Sequence, residues 1–236
     1  MSIGLTNWAG KLLDLRRRLG LPVGLLYLMH RSLLRATGGA ADLQFHRLLI
    51  QPVRKHGILP CHLAGPLVVR QLAPEDPEIA GALSRADDLP HRLARGDCCI
   101  AAFRDGRRVG HLWLCFGPFD EVESACRFVL PAGRGAWDYD IYVTEEERGG
   151  PVFPALWDAA WGVLRERGLE WTASRISGFN DVSLRSHVRL GARPVGWLVL
   201  VRLGRCLVLA GSVRPWFRVT CRPAEPIEVN FRTVQV

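Results

Sequence analysis

Several absences narrow the class of this protein before any motif is considered. Lys11 and Lys55 are the only lysines, so the formal net charge of +8 comes almost wholly from arginine. No apolar run reaches the roughly 20 residues that a transmembrane helix needs. The first residues have no signal-peptide layout, because Lys11, Asp14 and the arginines from Arg16 to Arg18 interrupt them. The sequence therefore predicts a soluble, cytoplasmic protein without a transmembrane segment.

The cysteines show no metal-binding arrangement. The chain has seven of them, an odd number, with neither CxxC nor Cys/His ligand spacing. Most lie inside apolar runs, which is typical of small buried thiols in a reducing compartment. We therefore expect no metal site, and free thiols at Cys61, Cys98, Cys99, Cys115, Cys126, Cys206 and Cys221.

The basic charge leaves its cause open. It is explained by a compositional preference for arginine, or by attraction to an anionic partner such as a nucleotide-bearing cofactor, an acidic carrier protein, nucleic acid or anionic lipid. Trp157 and Trp161 are spaced for one helix face, and Trp113 and Trp197 lie in apolar strand patterns. Core packing is the better account of these rings. The pattern thus disfavours nucleic-acid binding.

The N-terminal part is predicted to be a helical extension over residues 1–65. Apolar residues recur with helical spacing from residue 8 to 36, and Gly20-Leu21-Pro22 interrupts them, which predicts two short amphipathic helices. Four roles remain open for this extension: packing on the main domain, a lid over an acyl chain, a dimer surface, and a membrane-surface helix that carries arginines.

Residues 66–212 alternate between strand and helix patterns in the order β, α, β, β, β, α, β, α, β, β. This order predicts an α/β domain with a mixed central sheet flanked by helices. Residues 77–94 are predicted to be helical with a break at Pro90, and Asp105-Gly106 predicts a tight hairpin. Residues 213–236 form a strand-like tail, with pieces at 216–221 and 227–233 that extend the sheet edge or pair with another subunit.

Two motifs carry the chemistry. The run IYVTEEERGGPVFPALWDAAW from Ile141 to Trp161 places a strand, a glycine turn and a helix N-terminus in succession, an arrangement that suits a phosphate. The run NDVSLRSHVRLGARPVG extends from Asn180 to Gly196. In order and separation, the two runs resemble the Arg-x-x-Gly-x-Gly/Ala and Asn-x-x-Ser…Leu-Gly-Phe segments of the GNAT acyltransferases.

The resemblance implies a GNAT-like fold and an N-acyltransferase activity. An acyl group, most simply acetyl, would pass from acyl-CoA as co-substrate to the primary amine of a small molecule. The residues that would contact the donor are Tyr142, Val143, Arg148, Gly149, Gly150, Val152, Phe153, Asn180 and Ser183. Of these, a backbone N–H of Tyr142 or Val143 would meet the oxyanion.

The phosphate loop departs from the family pattern. Pro151 stands where the family has glycine, Phe153 stands where it has glycine or alanine, and Pro154 follows. Proline has no N–H, so Pro151 and Pro154 remove two donors that could hold a pyrophosphate. An acyl carrier protein presents a single phosphate, so a carrier-linked long-chain donor is the alternative to acyl-CoA. A non-catalytic binding module is a third hypothesis, and an oligomer is also open.

Three side chains are the candidates for acid and base chemistry. His187 takes the position where the resemblance places a catalytic acid, and an imidazole can act as acid or base near neutral pH. Asp138 and Asp140 alternate with Tyr142 along one strand, which predicts that they project to one face. They are candidates for binding the amine or accepting its proton.

Overall fold

The computed structural model describes residues 3–60, 65–83, 89–121, 124–131, 133–221 and 225–231. Within these residues the helices are α1 (Ile3–Thr37), α2 (Leu89–Arg95), α3 (Val152–Glu166) and α4 (Asp181–Arg189). The strands are β1 (Ala41–Pro52), β2 (Leu67–Leu72), β3 (Cys98–Arg104), β4 (Arg107–Cys115), β5 (Phe119–Glu121), β6 (Cys126–Val129), β7 (Gly135–Val143), β8 (Trp171–Ser177), β9 (Arg193–Leu203), β10 (Cys206–Gly211), β11 (Phe217–Thr220) and β12 (Ile227–Asn230).

Most of the strands belong to one large mixed sheet. Its order is β11-β10-β9-β1-β8-β7-β4-β3-β2, and a second sheet has the order β12-β6-β5. β7 and β8 pair in parallel, whereas the neighbouring pairs β4 with β7 and β3 with β4 are antiparallel. The predicted α/β class with a mixed sheet is therefore confirmed.

The chain divides into two compact units. The central unit comprises Ile50–Phe119 and Val129–Ser174, and the terminal unit comprises Met1–Leu49, Asp120–Phe128 and Arg175–Val236. The domain boundaries at residues 65 and 212 stay predictions.

In the central unit, a tight hairpin joins β3 to β4. Arg104 pairs with Arg107 across the turn, and Asp105 and Gly106 have φ of 50° and 75°. Both residues tolerate this left-handed conformation, which a two-residue turn between twisted strands requires. The predicted hairpin is confirmed.

The helix α3 supplies the largest apolar face of the central unit. Its apolar positions recur at helical spacing, and those that are buried are Val152, Ala155, Leu156, Trp157, Ala160, Trp161 and Leu164. The larger aliphatic side chains of this set each contribute about 1.5–3 kcal/mol on full burial. Both α3 tryptophans belong to the core, as the sequence predicted, so the fixed helix can hold the loop that precedes it.

In the terminal unit, α1 is two helical segments joined at a kink. Gly20 has φ of 76° and ψ of 168°, outside the helical region. Pro22 follows in the first turn of the second segment, where its missing N–H costs little. The predicted break at Gly20-Leu21-Pro22 is thus confirmed. Among the described residues, no helix combines the length and the apolarity that a bilayer crossing requires.

The strand β1 lies within the stretch predicted to be a helical extension, and the sequence analysis missed it. It is buried along almost its whole length, including the polar side chains of Asp42, His46 and Gln51. Residues 42–46 alternate between polar and apolar side chains, a strand pattern that the helical interpretation of residues 1–65 overlooked. Residues 41–52 are therefore part of the sheet.

Two further predictions need correction. Residues 77–82 form turns rather than a helix, residues 84–88 lie outside the described residues, and Pro90 is the second residue of α2 and does not break it.

Cys206 and Cys221 form a disulfide, so these two are not free thiols. Cys98, Cys99, Cys115 and Cys126 are buried free thiols as expected, and Cys61 lies outside the described residues. The tail pieces form β11, which pairs with β10, and β12 of the second sheet.

Candidate functional site

The loop between β7 and α3 contains the first motif. β7 ends at Val143, one turn of 3-10 helix covers Glu145–Glu147, and α3 begins at Val152. Gly149 has φ of 81°, which glycine adopts without a steric cost. Pro151 stands at the N-cap of α3, which has neither a side-chain cap nor an acidic residue in its first turn. The first turn therefore does not offset the positive end of the helix dipole.

The glycine turn uses one of its predicted donors internally. The N–H of Gly150 donates to the carbonyl of Glu147 at 3.2 Å. The N–H of Gly150 is thus engaged within the loop, and its contact with a phosphate stays a prediction. Gly149, Val152 and Phe153 stay predicted donors.

Val143 presents its backbone on the side of β7 that faces away from β4. The N–H of Thr144 donates to the carbonyl of Val109 in β4 at 2.9 Å. Because successive N–H groups along a strand point to opposite sides, the N–H of Val143 points away from β4, and that of Tyr142 points toward it. Of the two predicted oxyanion donors, the geometry favours Val143. The Nε of Arg148 donates to the carbonyl of Val143 at 3.3 Å, on that same side.

Arg148 forms only a weak ion pair, so its partner can be exchanged for another anion. Its guanidinium lies 3.2 Å from the carboxylate of Glu145, and the two side chains are 56% and 79% exposed. Such a pair contributes about 0–1 kcal/mol, so an anionic ligand can replace Glu145. The neighbouring carboxylate of Glu147 lies 2.6 Å from Arg104, which offsets its charge beside the loop.

Asp138 is a buried carboxyl group in the middle of β7. It is 2% exposed. Burial raises its pKa to about 7, and interactions with the hydroxyls of Thr172 and Ser174 on β8 lower it to a smaller extent. A carboxyl group with a pKa near 7 can exchange a proton at neutral pH.

Asp140 lies at an irregularity of β7, and this corrects the prediction that Asp138 and Asp140 share one face. Its φ is 48°, and the register between β4 and β7 shifts in the stretch from His111 to Trp113. A bulge of this kind interrupts the alternation of side chains. The carboxylate of Asp140 lies 2.7 Å from the guanidinium of Arg92 and 3.6 Å from Nε2 of His111.

Arg92 and His111 are residues that the sequence analysis missed. The guanidinium of Arg92 lies 4.8 Å from the ring centres of both Trp113 and Tyr139, a position suited to cation–π attraction. His111 accepts a hydrogen bond from Arg108 at its Nδ1, at 3.0 Å. No spacing could have shown this cluster, because Arg92 comes from α2 and the others come from strands.

Tyr142 lies at the exposed end of β7. Its side chain is 42% exposed, and its ring stacks on that of His111 with 5.6 Å between the ring centres. The stacking fixes the ring and leaves part of the phenol open to solvent. Because the N–H of Tyr142 points toward β4, contact of Tyr142 with a donor stays a prediction for its side chain.

The residues of the second motif lie in the terminal unit, around α4. Asn180 is the N-cap of this helix, and its side-chain oxygen accepts a hydrogen bond from the N–H of Ser183 at 3.1 Å. The motif residue Asn180 therefore orders the start of α4. Contact of Asn180 or Ser183 with a donor stays a prediction.

His187 is buried in α4, and the hydrogen-bond partner of its Nδ1 determines which ring nitrogen carries the proton. Its Nδ1 lies 2.8 Å from the carbonyl of Ser183, so Nδ1 carries the proton and donates it. Burial lowers the pKa of the imidazole, and the hydrogen bond to Ser183 opposes this to a smaller extent. At neutral pH the ring is therefore neutral, with Nε2 unprotonated. This state suits acceptance of a proton better than donation.

Comparisons with known proteins concern the fold. No protein-family model matches the sequence, and no curated protein matches it. Similar solved structures include a conserved protein of unknown function from Staphylococcus epidermidis, with 11% identity, a TM-score of 0.48, and 72% of this chain and 64% of that chain covered. An aminoglycoside acetyltransferase from an uncultured soil metagenomic sample, in complex with sisomicin, has 16% identity, a TM-score of 0.42, and 55% and 90% covered.

A tandem GNAT protein from the clavulanic acid biosynthesis pathway has 15% identity and a TM-score of 0.48, with 70% of this chain and 56% of that chain covered. The chain spans less than two thirds of the length of this structure and of the Staphylococcus protein. In its own element order the chain has β4 antiparallel to β7, β7 parallel to β8, and α3 between β7 and β8. The predicted mixed α/β sheet is confirmed, and its GNAT-like identity stays a prediction carried by the two sequence motifs.

Proposed function

We propose that this chain is an N-acyltransferase that moves an acyl group, acetyl in the simplest case, from acyl-CoA to a primary amine of a small molecule. The observation that carries the proposal is the position of Val143. Its N–H points away from β4, its carbonyl holds the side chain of Arg148, and α3 begins a few residues later. A candidate oxyanion donor and a candidate phosphate-binding helix start follow one another in a single stretch of chain, which supports the proposal.

The donor would be held by the motif loop. The exposed guanidinium of Arg148 would exchange Glu145 for a phosphate of the donor, and the N–H groups of Gly149 and Val152 would add hydrogen bonds at the start of α3. The thioester carbonyl would lie against the N–H of Val143. Charge that develops on this oxygen would then meet a fixed donor.

Asp138 is the group assigned to accept the proton of the amine. The ammonium of the acceptor loses a proton to the Asp138 carboxylate, directly or through water, and the free amine attacks the thioester carbon. The C–N bond forms, the tetrahedral intermediate collapses with cleavage of the C–S bond, and the second proton lost by the nitrogen passes to the departing thiolate. Asp138 then returns its own proton to solvent. A pKa of about 7 keeps much of Asp138 ionised at neutral pH.

Turnover of thioesters by the purified chain tests the proposal. Acetyl-CoA, longer acyl-CoAs and acyl carrier protein would each be incubated with a panel of small primary amines, and release of the free thiol and the acylated product would be measured. We expect thiol release from acetyl-CoA that depends on the amine. If the thiol is released only from the acyl carrier protein, the donor is a carrier-linked acyl group and not acyl-CoA. If the chain neither binds nor turns over any thioester, an enzymatic function is contradicted.

A further inference from the structure

The exposed face of the second segment of α1 is apolar. The side chains of Leu21, Leu25 and Met29 are 62%, 53% and 58% exposed. They follow one another at intervals of four residues, so they lie on one face of the helix. Single exposed apolar residues are common on proteins, but a continuous apolar stripe over two turns usually indicates a partner.

The helix α4 of the same unit also exposes apolar side chains, although they do not form a stripe on one face. Val182 and Val188 are 58% and 49% exposed, and the arginines Arg185 and Arg189 are exposed beside them. α1 and α4 are joined by an ion pair between Arg18 and Asp181, with 2.8 Å between the charged atoms. Exposed apolar side chains therefore occur on two linked helices of the terminal unit.

The charged side chains of the second segment of α1 have one sign. Residues 15–41 contain five arginines and no aspartate or glutamate. The one carboxylate of α4, Asp181, is buried and paired with both Arg18 and Arg185. An anionic surface would thus approach the apolar face without meeting an uncompensated carboxylate of α4 or of the second segment of α1.

We propose that the face formed by Leu21, Leu25 and Met29, with the exposed arginines of α1 and α4, docks on an anionic lipid bilayer. An apolar helix face with arginines at its edge is the arrangement by which helices lie in the membrane interface, with apolar side chains at the acyl boundary and guanidinium groups at the lipid phosphates. The apolar centre of the stripe favours a bilayer over the polar surface of an acidic protein. The kink at Gly20 begins the segment that would lie on the bilayer. This inference stands independently of the proposed acyltransferase activity.

Co-sedimentation with lipid vesicles tests the proposal on the full chain. Vesicles of phosphatidylcholine with phosphatidylglycerol should bind the protein, vesicles of phosphatidylcholine alone should bind it much less, and salt should weaken the binding. Leu25→Glu and Met29→Glu should each lower the partition coefficient about tenfold, because a charge replaces an inserted apolar side chain. Arg31→Gln and Arg35→Gln should each lower it about fivefold.

Leu203→Glu is the matched control, because Leu203 is 51% exposed at the end of β9 and should leave vesicle binding unchanged. Thermal unfolding of each variant checks that the fold is retained. The proposal is overturned if the wild-type chain binds neither vesicle, or if Leu25→Glu binds as well as wild type. It is also overturned if Leu25→Glu dissociates an oligomer, or abolishes binding to an acidic carrier protein while vesicles are not bound.

Discussion

The carboxylate of Asp140 lies 2.7 Å from the guanidinium of Arg92, and the two side chains are only 6% and 4% exposed. Two charges are thus removed from water together, and each depends on the other. Asp138, two positions earlier on the same strand, interacts with hydroxyl groups instead. The two acids that the sequence groups as one catalytic pair therefore have different surroundings and different expected roles.

Replacing Asp140 should destabilise the protein strongly. Asp140→Ala leaves the Arg92 charge buried without its carboxylate, which costs about 3–5 kcal/mol. Urea or thermal unfolding of the variant measures this loss. The double variant Arg92→Met/Asp140→Leu should recover most of the stability, because it removes both charges. If Asp140→Ala unfolds like wild type, the ion pair does not stabilise the fold.

Replacing Asp138 should abolish turnover without loss of stability. Asp138→Asn should lower kcat/KM by about 10²–10⁴-fold, because it removes the proton acceptor. In the wild-type enzyme, kcat/KM should rise with pH and level off above about 7, as the carboxyl group ionises. A pH profile without this limb, or an active Asp138→Asn variant, would remove Asp138 from the mechanism.

The same carboxyl group gives a stability signature with a definite sign. Its pKa is raised from 3.8 to about 7 on folding, so the folded chain binds this proton more tightly than the unfolded chain. The stability from Asp138 is fully present below pH 4 and is lost as the pH rises through 7. Asp138→Asn should exceed wild type by on the order of 2–4 kcal/mol above this range and show no such gain near pH 4. Denaturant unfolding at both pH values checks the difference.

His187→Phe should separate catalysis from donor binding. The neutral imidazole has its proton on Nδ1, which donates to the carbonyl of Ser183. If Nε2 accepts a proton in the reaction, the variant should lose about 10²-fold in kcat. The Kd for acetyl-CoA should remain within experimental error of wild type. A variant with lower thermal stability and full kcat would show that His187 serves only to pack α4.

Pro151→Gly should strengthen donor binding. Glycine at the N-cap of α3 restores one N–H, and a hydrogen bond to a charged phosphate is worth enough to lower the Kd for CoA about five- to tenfold. Isothermal titration measures the Kd. Pro154→Ala is the companion variant in the first turn of the same helix. An unchanged Kd in both variants would place the phosphates away from this loop.

Removing the disulfide should lower stability by a moderate amount. Cys206 and Cys221 are 15 residues apart in sequence, and cross-links of this span stabilise by about 3 kcal/mol through restriction of the unfolded chain. Cys206→Ser/Cys221→Ser, and wild type in reductant, should both show the loss in thermal unfolding. A count of free thiols in the denatured protein gives an independent measurement, since the pair should contribute none without reductant.

The sequence predicts best where the signal is local. The hairpin at Asp105-Gly106 and the helix after Gly150 follow from turn chemistry and apolar spacing within a few residues. Strand β1 was missed although residues 42–46 alternate, because its polar side chains are buried and bond both within the strand, to Gln44, and outside it, to His30 and Arg175. A pattern of apolar and polar residues cannot show which polar side chains find partners after folding.

In the candidate site, too, the features with a local signal could be predicted and the others could not. The motifs around Arg148 and Asn180 are visible in the sequence, whereas the separation of Asp138 from Asp140 depends on a backbone irregularity. A positive φ at an aspartate leaves no signature in composition or spacing. The buried partner Arg92 is equally hidden, because only the folded chain brings α2 to β7.

The position of β1 has a consequence for the order in which the chain can fold. This strand is made before its neighbours in the sheet, β8 and β9, which emerge from the ribosome more than 100 residues later. Phe45 receives a hydrogen bond from Gly178, and Ala40 receives one from Gly204. Pairings between distant segments slow folding and leave early strands exposed to wrong partners. We therefore expect residues 41–52 to stay unpaired, and open to association with chaperones, until β8 and β9 have been made.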